Sequence, residues 1–71
     1  MKPGDLVSVH LPRRRECVRV PCSADGWETH EYFDLKVGDK GIVVKKLLTQ
    51  YEVLFRGRVC LMWESQVRAV E

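Results

Sequence analysis

Gly38-Asp39-Lys40-Gly41-Ile42-Val43-Val44 repeats, later in the chain, the pattern of Gly4-Asp5-Leu6-Val7-Ser8-Val9. Each stretch places a glycine–aspartate turn in front of a short run rich in β-branched residues. Leu6 to His10 reads as a strand with Leu6, Ser8 and His10 on one face and Val7 and Val9 on the other. Gly41 to Leu48 reads as a second strand, with Thr49-Gln50 as its turn. In Tyr51-Glu52-Val53-Leu54-Phe55 the alternation puts Tyr51, Val53 and Phe55 on one face. Arg56-Gly57 makes a tight two-residue turn with glycine where positive φ is needed. Arg58 to Trp63 is the next strand, Glu64-Ser65-Gln66 a single 3₁₀ turn, and Val67 to Val70 the last strand. No apolar period of 3.6 residues is sustained over a helical length.

The 26 residues from Pro12 to Val37 keep no single period. Cys17-Val18-Arg19-Val20 is a candidate short strand, which Pro21 would confine to a sheet edge. Ser23-Ala24-Asp25-Gly26 is a turn by composition, and Tyr32-Phe33-Asp34-Leu35 is partly extended. A connection of this length in a compact domain usually marks function, so residues 12–37 are expected to be a long functional loop. The expected architecture is all-β: one domain over residues 1–71, an SH3-like barrel of about five strands with a long first loop and one 3₁₀ turn before the last strand.

The chain has 71 residues, of which 45% are hydrophobic and 31% charged, a globular balance. A core of this size supplies only about 3–5 kcal/mol without a staple or a partner. No stretch is long and apolar enough to span a bilayer, and no apolar export signal opens the chain. A cytoplasmic location with no membrane contact is therefore expected. The three cysteines, Cys17, Cys22 and Cys60, are then expected to be reduced thiols. The net charge of +2 divides unevenly, as +3 over residues 1–20, −4 over 21–39 and +3 over 40–71. Such a surface suits a charged protein partner at least as well as nucleic acid.

The order of elements brings a resemblance with it. The Gly-Asp start with Val7 and Val9, the Gly38-x-x-Gly41-x-Val43 strand, the strand ending in Phe55 and the Glu64-Ser65-x-Val67 end recur across small SH3-like proteins. With Phe33-Asp34-Leu35 ahead of Gly41, and Trp63 where that family has Phe, the chain resembles the variable chain of ferredoxin–thioredoxin reductase, and its skeleton is similar to that of short SH3-like bacteriophage proteins. The first resemblance implies an accessory subunit in a plastid-type setting that docks on an iron–sulfur catalytic chain and holds no cluster ligand itself. The second implies a virion component or a host-directed protein. Arg13 to Asp25 has no counterpart in the reductase family.

Several residues invite chemistry. Cys17 and Cys22 have a spacing seen in zinc pairs, and His10, His30 or Cys60 are the candidates to complete such a site. Only one close pair exists, so no metal or other cofactor is expected, and a Cys17–Cys22 disulfide stands as a further alternative. Nothing in the spacing sets a cysteine beside a histidine as nucleophile and base, so no enzyme activity and no small-molecule substrate are expected. Trp27, Tyr32 and Trp63 are the aromatic candidates for a partner-binding surface, joined by Arg13, Arg14 and Arg15. The expected function is a non-enzymatic protein-binding or structural subunit that docks on a partner chain or on itself. The alternative is a nucleic-acid module similar to the KOW type, with Arg13, Arg14, Arg15, Arg19, Lys45 and Lys46 on the phosphates.

Overall fold

The computed structural model describes residues 1–11, 17–23 and 31–70. They form β1 (Leu6–Val9), β2 (Cys17–Ser23), β3 (Glu31–Lys36), β4 (Lys40–Lys46), β5 (Gln50–Phe55), β6 (Arg58–Trp63), a 3₁₀ turn (Glu64–Gln66) and β7 (Val67–Ala69). The strands make one sheet in the order β3-β2-β6-β5-β4-β1-β7, with every pairing antiparallel. Among the described residues, no pairing joins β3 to β7, so the sheet is open.

Seven strands replace the expected five because the segment read as a loop carries two of them. β2 and β3 pair along all of β3, from Cys17 opposite Lys36 to Cys22 opposite Glu31. Pro21 does not confine β2 to an edge, since β6 lies on its other side. Among the described residues that second pairing involves only Cys22 with Cys60 and Ser23 with Val59. Pro21 therefore stands just outside the two-sided part of the strand, where its missing N–H removes no bond to β6.

The alternation read from the sequence decides which face is buried. Val7 and Val9 of β1, Tyr51, Val53 and Phe55 of β5, and Cys60 and Met62 of β6 all turn inward. Val20 and Cys22 of β2, Leu35 of β3, Val43 of β4 and Val67 of β7 complete one cluster. A flat sheet would leave this apolar face in water, so the sheet curls until all seven strands share a core. A register shift between Val43 and Lys45 in the β4–β5 pairing marks a bulge, which bends β4 where the sheet must turn.

Two details hold the corners. The glycine–aspartate turns are the same structure twice. The Lys2 N–H donates to the Asp5 carboxylate at 2.9 Å, and the Lys36 N–H to the Asp39 carboxylate at 2.9 Å. The Asp5 N–H returns to the Lys2 carbonyl at 3.1 Å, and the Asp39 N–H to the Lys36 carbonyl at 3.0 Å. Gly4 at φ 93° and Gly38 at φ 94° occupy the third position, which a type II turn reserves for glycine. Each turn then bonds the strand launched by the other: the Gly4 N–H to the Val43 carbonyl, and the Gly38 N–H to the Val9 carbonyl. Gly41 serves differently, because the Phe55 ring packs against its α-carbon where a side chain would otherwise stand.

Candidate interaction surface

The outward face of the sheet is not uniformly polar. Across β1, β4, β5 and β6 the register aligns Leu6 with Ile42, Ile42 with Leu54, and Leu54 with Val59. Val70 extends the row beyond β1, its N–H bonding the Leu6 carbonyl at 3.0 Å. Leu6, Ile42 and Leu54 are 44%, 46% and 38% exposed, so the row lies in water. Along β6 the same face continues through Leu61 to Trp63, which is 54% exposed. An antiparallel sheet with one face on the core normally presents polar side chains on the other. Here a contiguous apolar band lies outside as well, the kind of patch that marks a contact surface.

Charges border this band unevenly. Lys40 and Arg68 both lie opposite Ser8, one on each side of β1, and so form the row next to Leu6 and Ile42. Both are exposed and have no ion-pair partner among the described residues. On the far side Lys45 faces Glu52 across the β4–β5 pairing, and Glu52 in turn faces Leu61. The remaining described arginines are engaged. Arg19 pairs with Asp34 at 3.1 Å, and Arg58 with Glu31 at 2.7 Å. Arg56 reaches Asp39 at 3.4 Å and lies over the Phe33 ring at 5.4 Å.

The residues singled out in the sequence distribute as follows. Trp63 ends β6 on the outward face, its backbone N–H donating to the Gln66 side-chain oxygen at 2.9 Å, beyond Leu61 on the strand that carries Val59. Tyr32 is exposed on β3, opposite Pro21 and two strands away from β6. Trp27, Arg13, Arg14, Arg15 and His30 lie outside the described residues. Of the basic set, Arg19 is tied to Asp34 on β2–β3, while Lys45 and Lys46 stand on β4, three strands away. The fold does not gather these three into one stripe.

The cysteines require a correction. Cys22 and Cys60 are direct cross-strand partners, both fully buried, their α-carbons 4.1 Å apart, and they are joined as a disulfide. Reduced thiols at all three positions, and a Cys17–Cys22 bond, are thereby overturned. Cys17 is free and exposed at the far end of β2. An odd separation along one strand sends Cys17 and Cys22 to opposite faces about 16 Å apart, too far for a bond or a shared zinc ion. Among the described residues no three histidine, cysteine, aspartate or glutamate side chains come within range of a common metal ion.

The apolar row escaped the sequence reading because it exists only once four strands are in register. A local signal was present. Ile42-Val43-Val44 and Val59-Cys60-Leu61-Met62-Trp63 are apolar at successive positions and so on both faces, unlike the alternation of a strand with one face in water. Comparison with protein-family models, with curated proteins and with solved structures found no match for this chain.

Proposed function

We propose that this chain is a non-enzymatic binding module of the SH3-like barrel kind, which docks on a partner protein through the outward face of its sheet. The element order supports the SH3-like part of the reading. β1 lies between β4 and the last strand, β4 to β6 form a meander of tight hairpins, and one 3₁₀ turn precedes the final strand. The β2–β3 hairpin takes the place of a long first loop.

The observation that carries the functional reading is the exposed row Leu6–Ile42–Leu54–Val59, which spans four strands on the face away from the core. Scattered surface leucines need no explanation, but an aligned row continuous with Leu61 and Trp63 costs solubility unless a partner covers it. Substituting Ile42→Asp and Leu54→Asp tests this. Both side chains point into water, so the fold is expected to persist by circular dichroism. Binding to the partner captured from the native source, or self-association measured by light scattering, is expected to be lost. Retention of the same complex by both variants would reject the face as the site.

A further inference from the structure

We infer that the partner covering this face is a protein segment in which apolar side chains are accompanied by carboxylates. The inference rests on the docking reading above and adds the chemistry of the occupant. Among the described residues in the outward rows on either side of the apolar row, Lys40, Arg68 and Lys45 are basic and Glu52 is acidic. Glu52 lies opposite Lys45, and at the other rim Lys40 and Arg68 have no ion-pair partner among the described residues. They flank Ser8 in one row, the next outward row from Leu6 and Ile42. Adjacent outward rows are two residues, or about 7 Å, apart along the strands. A segment whose apolar side chains cover Leu6 and Ile42 therefore brings its neighbouring side chains over Lys40 and Arg68, where a carboxylate is attracted and an ammonium repelled.

A second copy of the chain fits this rim less well. Packing two such faces with their strands aligned sets Lys40 and Arg68 against the same row of the other copy, basic on basic. Turning one copy end for end sets Lys40 against Lys45 instead. An anionic membrane would meet the charge but not the shape. Leu6, Ile42 and Leu54 are each about half covered within the sheet and do not project as an inserting wedge.

The test uses the full chain and two synthetic probes of equal length, one of alternating leucine and glutamate and one of alternating leucine and lysine. Amide chemical shifts are followed by NMR as each is added. The leucine–glutamate peptide is expected to shift Leu6, Ile42 and Leu54, and to saturate at a concentration about tenfold lower than the lysine peptide. The difference should narrow as salt is raised. In the doubly reversed variant Lys40→Glu/Arg68→Glu, both positions being exposed, the preference should invert while the dispersed spectrum is kept. Equal shifts of this face with both peptides would leave docking standing and overturn the acidic partner. Shifts elsewhere, no shift with either peptide, unchanged preference in the reversed variant, or binding only to vesicles of anionic lipid would each overturn the proposal as well.

Discussion

Gly41→Ala is the sharpest test of how the core is closed. A β-carbon at Gly41 would stand 2.6 Å from the Leu54 carbonyl oxygen, and 2.8 and 2.9 Å from two carbons of the Phe55 ring. Ordinary contacts lie at 3.4–4 Å, so both obstacles must yield, and one of them is backbone. Gly41 also pairs with Val7 of β1, so a retreat of β4 is felt across the β1–β4 pairing. Forcing one extra carbon into a packed core costs about 1–3 kcal/mol. Against this, replacing glycine restricts the unfolded chain and returns about 0.4–1 kcal/mol. Overpacking wins, and the net loss should be about 1–2 kcal/mol. In a domain of this size that corresponds to a fall in Tm of roughly 5–15 °C. Thermal melts and urea titrations of the wild type and variant measure it directly. The same substitution in a Phe55→Leu background removes the ring contacts and leaves the carbonyl, so its cost should shrink by about 0.5–1 kcal/mol without vanishing. An unchanged or raised Tm for Gly41→Ala would refute the steric argument. Equal costs in the two backgrounds would refute the part assigned to Phe55.

The Cys22–Cys60 disulfide closes a sequence separation of 38 residues, for which chain entropy predicts about 4 kcal/mol of stabilisation. Urea midpoints with and without reductant should differ accordingly, and a Cys17→Ser variant should behave as the wild type does. The two glycine–aspartate turns make the other comparison. Asp5→Ala and Asp39→Ala each remove a carboxylate that accepts one backbone N–H, at a cost of about 1 kcal/mol. The Asp39 change should be slightly the larger, because Arg56 also reaches that carboxylate. Clearly unequal midpoint shifts, with Asp5 the greater, would show that the two turns do not contribute alike.

Legibility followed the range of the interactions. β1, β4, β5, β6 and the 3₁₀ turn were readable because their signals are local: alternation along Tyr51–Phe55, the Arg56-Gly57 turn, the aspartates beside Gly4 and Gly38. The structure even gives Arg56 a positive φ of 48° beside Gly57 at 81°, as a two-residue hairpin of this hand requires. β2 and β3 were not read as a hairpin because neither is persuasive alone. Pro21 interrupts one, and in the other Tyr32 points into water while Phe33 is only partly covered. What secures them is pairing to each other and, through Cys22 and Ser23, to β6, a contact between distant parts of the chain. The disulfide and the apolar row were hidden for the same reason. Cys22 meets Cys60, and Ile42 meets Leu6 on one side and Leu54 on the other, only after long-range register is set.

With seven strands and antiparallel neighbours throughout, chain direction alternates across the order, so β3 and β7 at its two ends run the same way. Closure into a continuous ring within one chain would therefore demand a single parallel pair among antiparallel ones. Between chains the parity works differently. A two-fold axis normal to the sheet joins like edges, β3 to β3 or β7 to β7, as antiparallel pairs, and such a contact stops at two copies. Translation joins unlike edges, in parallel, and has no natural end. The three-residue length of β7 offers little purchase to either mode. Any extension of this sheet that terminates cleanly must pass through an edge meeting its own kind.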